Sequence, residues 1–247
     1  MNIIKADSMI MKKDYLIADD SMYKIVFTNA ECGRSFNRAT DIGVNNLNSL
    51  KEEFKVNDII YLKQIHSDKV LEVNSENKYE VKDSEADALI TNLKNTIIGV
   101  FTADCVPIIL ISKKDGVCAA IHSGWRGTYE SITLKTVECM KKKYNVNPEN
   151  IKAYIGPHIR KCCYEVSKDL REKFIEKKNY IKKDKLIFKN NLSMETCIES
   201  DLNKAGILES NINSIDLCTY CSSKIKLYSY RKSEGSYGRM FAFVYLK

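Results

Sequence analysis

Between residues 58 and 121 the chain is a close succession of short apolar runs separated by brief polar turns, and such runs read as β-strands. Three of them, at 59–62, 97–101 and 117–121, lead into a side chain that can bind metal: His66 in QIHSDKV, Cys105 in FTADCVP and His122 in AIHSGWRGT. Strand ends that converge would gather two imidazoles and a thiolate, leaving a fourth position for water or substrate. That is the catalytic rather than the structural pattern for zinc.

The rest of the chain mixes periods. A strand is expected at 23–28 and a helix at 47–56, opened by a capping box formed by Ser49 and Glu52. A long helix is expected over 126–144, with Leu134, Val137, Met140 and Tyr144 on one face. A strand at 152–155, helices at 167–178 and 193–205, and strands at 212–217, 225–230 and 240–246 complete the chain. Only 3 prolines occur, and no low-complexity linker or internal repeat divides the sequence. The expected fold is therefore α+β: one domain over 1–247, an α/β sandwich of mixed β-sheets flanked by helices. No G-x-G-x-x-G follows a strand, which argues against a dinucleotide-binding fold.

Composition narrows the function. The net charge of +7 comes largely from scattered lysines such as 141–143, 177–178 and 182–183. Clusters this short read as solvated helix faces, so no nucleic-acid partner is expected, while a small anion such as phosphate suits the charge. No run approaches the roughly 18 apolar residues of a membrane span. The opening residues 1–7 soon carry charge and no apolar signal region follows. Nine cysteines cannot form a complete disulfide framework within one chain, and a cytoplasmic protein with free thiols is expected. A monomer or weak homodimer is expected.

Taken alone, His66 or His122 would more often be a hydrogen-bonded core residue than a ligand. Their surroundings favour the second reading. Ser-Gly-Trp-Arg-Gly follows His122, with small residues that allow close approach and Arg126 as an anion clamp. Cys105 stands beside Asp104 at a strand end, whereas Cys118 sits inside its strand. Gln64 and Asp104 are candidates to orient ligands or a water, and Arg231 is a second candidate for anion binding. His158, in a Gly-Pro turn, reads as a surface side chain. Cys218-x-x-Cys221 and the adjacent Cys162 and Cys163 make a four-thiolate zinc conceivable, but such a site ordinarily uses two C-x-x-C pairs and only one is present.

The segments QIHSDKV, ADALIT, FTADCVPIIL, AIHSGWRGT, IGPHIRKCCYEV, DLCTYC and YSYRKSEGSYGRMFAFVYL occur in the order seen in the laccase-domain, or polyphenol-oxidase, family of YfiH type. The resemblance extends from about residue 23 to the C-terminus. It implies a purine nucleoside phosphorylase with adenosine deaminase activity, acting on a purine nucleoside and phosphate. It also implies metal ligation by His66, Cys105 and His122, with Zn²⁺ as the cofactor and copper as another metal such ligands accept. A multicopper oxidase is a different matter: its clusters need on the order of ten histidines, and this chain has 3, none in an H-x-H. Two other readings remain: a thiol hydrolase or amidase with Cys105 as nucleophile and His122 as base, for which the resemblance implies cell-wall precursors as substrates, and a non-catalytic zinc-binding module. A cytidine-type zinc deaminase is disfavoured, because neither H-x-E nor P-C-x-x-C is present.

Overall fold

A computed structural model describes residues 1–4, 9–234 and 238–247, so residues 235–237 of the C-terminal motif lie outside the described residues. In chain order the strands of the first half are β1 (Asn2–Ile4), β2 (Ile10–Lys12), β3 (Tyr15–Asp19), β4 (Tyr23–Thr28), β5 (Asp58–Tyr61), β6 (Val70–Val73), β7 (Ala88–Thr91) and β8 (Thr96–Thr102). They continue with β9 (Val106–Ser112), β10 (Val117–Ser123), β11 (Ile151–Ile155), β12 (Ile187–Phe188), β13 (Asn191–Leu192), β14 (Ile212–Ile215) and β15 (Met240–Leu246). The α-helices are α1 (Asp41–Phe54), α2 (Lys78–Val81), α3 (Trp125–Tyr129), α4 (Ile132–Tyr144), α5 (Lys168–Lys177), α6 (Lys183–Leu186) and α7 (Met194–Lys204).

Two mixed sheets form the centre. One has the order β1-β14-β11-β9-β10-β7-β6 and the other β2-β3-β4-β15-β8-β5, while β12 and β13 make a separate small hairpin. The long strands β8, β9 and β10 are buried along their whole length, which explains why they read as continuous apolar runs: both faces of each sheet are covered. On β9, Val106, Ile108 and Leu110 pack with Val137 and Met140 of α4 and Cys197 and Ile198 of α7. Ile109 and Ile111, one step out of phase, pack between the sheets against Ile98, Val100 and Phe27. The outer face of the six-stranded sheet carries Phe241, Phe243 and Tyr245 against Leu47 and Leu50 of α1. The molecule is thus helix, sheet, sheet, helix, the expected α+β sandwich.

Several local expectations need correction. Helix α1 begins at Asp41, not at 47. Thr40 caps it by accepting the Gly43 N–H, and Ser49 lies inside the helix. The glycine in its first turn serves packing, since a Cβ at Gly43 would overlap the Asn37 carbonyl. The helix expected over 126–144 is two helices, α3 and α4, broken where Ser131 takes a left-handed φ of 61°. Residues 225–230 form no strand: Lys226 O accepts the Ala30 N–H, but no ladder follows. Lys178, read as part of a solvated face, is 1% exposed and pairs with Asp201 and Ser131. His158 is fully buried and its Nδ1 faces the Gly156 carbonyl.

Candidate active site

The three expected ligands meet at the rim where the two sheets come together. Alternation along β10 sends Ala120 and then His122 toward the other sheet, so the imidazole arrives on the inter-sheet side. Cys105 lies in the short turn by which the chain leaves β8 in one sheet and enters β9 in the other. His66 lies in the loop that likewise carries the chain from β5 to β6, between sheets. One ligand is thus supplied by a strand and two by crossovers that both sheets hold at their ends.

Geometry agrees with a shared ion. The Cys105 Sγ is 3.8 Å from His66 Nε2, the two imidazole rings stand edge to face at 4.9 Å, and the ligand atoms of all three residues lie within 4.8 Å of one another. Such a set can hold a metal ion, and two imidazoles with one thiolate suit a borderline-soft divalent cation. Gly124 makes room for it: a Cβ there would lie 2.8 Å from His66 Cδ2 and 3.3 Å from Cys105 Sγ. The glycine two positions after His122 therefore serves the His66 ring.

The sequence reading missed Asp87, which organises the cluster. Fully buried, its Oδ1 lies 2.8 Å from His122 Nδ1 and accepts the His66 N–H, while Oδ2 accepts the N–H and hydroxyl of Ser67 and the Ile65 N–H. One carboxylate therefore fixes the loop carrying His66, which has a left-handed φ of 59°, and turns His122 Nε2 toward the site. Asp87 sits within the ADALIT segment, where an acid among buried apolar residues was the available signal.

Without a metal the groups titrate together. Burial opposes ionisation of Cys105, but the His122 and His66 imidazoles outweigh it and bring the thiol down to about 6. Burial likewise opposes protonation of His122, and the Cys105 thiolate with the Asp87 carboxylate carries it up to about 9. Asp87 itself is held below its ordinary value: burial raises it, and the His122 and Ser67 contacts overcome that.

A cleft of about 700 Å³ opens beside the cluster, in the size range of small-molecule sites. Arg38, Arg126, Arg231 and Arg239 line it, with Asp104 as its one acidic side chain among the described residues, together with the rings of Phe101, Trp125, Tyr164 and Tyr230. Arg126 lies over the Trp125 ring at 4.8 Å. Arg231 gives one guanidinium hydrogen bond to the Glu165 carbonyl at 2.9 Å and lies over Tyr164. Arg38 and Arg239 were not foreseen, because nothing local in the sequence ties them to the histidine motifs.

Gln64 and Asp104 also line the cleft, with their polar atoms turned to the protein. The Gln64 amide exchanges two hydrogen bonds with the Phe101 backbone, at 2.8 and 2.7 Å. The Asp104 carboxylate accepts the Thr219 hydroxyl and the Arg231 N–H, and its carbonyl accepts the Ile159 N–H. Those three bonds hold Asp104 at a φ of 97°, a strained conformation for a residue with a side chain, and this sets the turn that presents Cys105.

Among the described residues no helix is long and apolar enough to cross a membrane. Residues 20–247 match the family model described as multi-copper polyphenol oxidoreductase laccase. A Clostridium acetobutylicum protein named purine nucleoside phosphorylase is 39% identical over the full length of both chains. A protein named adenosine deaminase RL5, from an unknown prokaryotic organism, is 30% identical over 78% of this chain and 76% of its own. The crystal structure of the Bacillus licheniformis hypothetical protein YfiH superposes with a TM-score of 0.86 at 26% identity, covering 96% of this chain and 97% of that one. Sequence and architecture match along nearly the whole length, and on that ground the chain belongs to the laccase-like YfiH family.

Proposed function

We propose that the cleft cleaves purine nucleosides with phosphate, giving the free base and ribose 1-phosphate, and deaminates adenosine as a second activity. The observation that carries this reading is the union in one cleft of a two-His, one-Cys cluster, four arginines and four aromatic rings. Relatives named for both activities support it.

In phosphorolysis a phosphate oxygen bonds to C1′ of the ribose while the C1′–N9 bond breaks. The electron pair passes to the purine, which takes up a proton. The sugar goes through an oxocarbenium-like state, so the protein's tasks are to place an anion on one face and hold the base on the other. Arg126 and Arg231 are the anion clamps, their planar forks suited to paired phosphate oxygens, and Arg239 adds to the positive lining, while Arg38 is ion-paired with Asp83. Phe101, Trp125, Tyr164 and Tyr230 offer faces for a purine to stack upon. Gln64 and Asp104 act by position, holding the backbones of Phe101 and Arg231. Zn²⁺, held by His66, Cys105 and His122, would supply a Lewis acid able to polarise an acceptor atom of the substrate. Asp87 keeps the His122 Nδ1 proton on the side away from the cleft. The nine thiols suit a reducing cytoplasm.

Product analysis tests the proposal. Metal-loaded protein given adenosine and phosphate should yield adenine and ribose 1-phosphate, and without phosphate it should yield inosine and ammonia. No product under either condition overturns it. One observation favours a second reading: a lowered Cys105 thiol, a raised His122 and a buried Asp87 form the nucleophile, base and orienting acid of a thiol hydrolase, with cell-wall precursor amides as substrates. Occupancy of the His66, Cys105 and His122 cluster separates the two, measured as the zinc lost on C105A, because a thiolate bound to zinc is a poor free nucleophile.

A further inference from the structure

A second group of metal-binding side chains lies outside the cluster just described. Cys162 and Cys163 come from the loop between β11 and α5, and Cys218 and Cys221 from the loop after β14. Their four sulfurs all lie within 4.8 Å of one another, and Cys162 Sγ is 3.7 Å from Cys221 Sγ. Zinc–sulfur bonds of about 2.3 Å in a tetrahedron put neighbouring sulfurs about 3.8 Å apart. A disulfide needs about 2.05 Å between sulfurs, far shorter than the 3.7 Å between Cys162 and Cys221. All nine cysteines are free thiols in the structure. The requirement for two C-x-x-C pairs, by which the sequence set this cluster aside, fails because the fold supplies the second pair from adjacent residues.

We propose that Cys162, Cys163, Cys218 and Cys221 form a structural site for a thiophilic divalent cation, Zn²⁺ in first place, separate from the cleft. Four protein thiolates close the coordination shell, which is the structural rather than the catalytic pattern. Binding releases the thiol protons and joins two segments that lack regular structure at this point.

The consequence reaches the cleft. Ile159 and Tyr164, which line it, flank the Cys162–Cys163 pair, and Thr219, which holds Asp104, lies between Cys218 and Cys221. The two loops are already in register, with His158 N–H bonded to Leu217 O and Thr219 N–H to His158 O. A cation bridging them would fasten the wall of the cleft that carries Tyr164 and support the turn that presents Cys105.

Zinc analysis in a background that removes the other cluster tests this independently of the proposed function. The full chain carrying H66A and C105A should retain about one zinc per chain. Adding C162S and C221S, both at exposed positions, should remove it. On the unsubstituted protein, alkylation followed by mass spectrometry gives a second measurement that needs no variant to fold. Zn²⁺ should protect Cys162, Cys163, Cys218 and Cys221 together and a chelator should release them together, with exposed Cys32 labelled in both cases. Absence of zinc from the H66A/C105A protein, zinc that survives C162S/C221S, or alkylation of these four cysteines unchanged by Zn²⁺ would each overturn the proposal.

Discussion

Replacing Asp87 with asparagine keeps shape and volume but removes the charge on which two ligand segments depend. The carboxylate accepts five hydrogen bonds, two at Oδ1 from His122 and His66 and three at Oδ2 from Ser67 and Ile65. An amide can serve only one side. With its oxygen toward His122, the NH₂ group faces the Ser67 and Ile65 N–H donors, and two buried unpaired groups cost about 1–3 kcal/mol each. With its oxygen toward Ser67, one donor at His66 is unpaired. The NH₂ then donates to His122 Nδ1 and moves the imidazole proton to Nε2, the atom that faces Cys105. The second arrangement is cheaper and should dominate. Stability should then fall by about 1–3 kcal/mol, a melting temperature lower by roughly 3–9 °C for a chain of this size. Zinc affinity should fall about 10- to 100-fold, as when a partner behind a ligating histidine is lost. Differential scanning calorimetry and competition against a chromophoric chelator would measure both in D87N. A lower melting temperature with unchanged zinc affinity would show that His122 does not ligate through Nε2. No change in either would refute the network.

Other perturbations of the same site have equally definite outcomes. Gly124→Ala should weaken zinc binding with little loss of fold, since its Cβ would meet the His66 ring at 2.8 Å; equal affinity in a chelator titration would disprove the crowding argument. In metal-free protein, Cys105 alkylation should titrate with a midpoint of about 6, because the His122 cation stabilises the thiolate against burial. A midpoint above 8 would contradict this. His122 is raised to about 9, so its protonated form favours folding fully below the unfolded value of about 6.5, and this contribution is lost as pH rises through about 9. Cys105 is lowered, so its contribution is present above the unfolded value of about 8.5 and lost as pH falls through about 6. The ion pair should therefore be intact between about pH 6 and 9, visible as a histidine ring shift by NMR. Chelation should abolish nucleoside turnover yet leave the far-ultraviolet circular dichroism and a cooperative melt, since three apolar clusters hold the layers together. Wholesale unfolding would instead mark a zinc-dependent module.

Residue order alone was enough to read the central strands, the three side chains that converge and the shortage of histidines for a multicopper centre. Continuous apolar runs at β8, β9 and β10 have few alternatives, and His66, Cys105 and His122 follow such runs at short distances. Caps and local order were less legible. Gly43 imitates a loop because its reason is the approach of Asn37, and 225–230 imitates a strand because alternation does not reveal that no ladder partner is present. Long-range pairing was out of reach altogether. Asp87 holds two ligand segments, Lys178 finds Asp201, and Cys162–Cys163 meets Cys218 and Cys221 across the long stretch of chain between positions 163 and 218. Periodicity reports which face of an element is buried, whereas these contacts depend on which elements end at the same rim. Only the order of strands within each sheet, the crossing between sheets and the packing of helices upon them decide that.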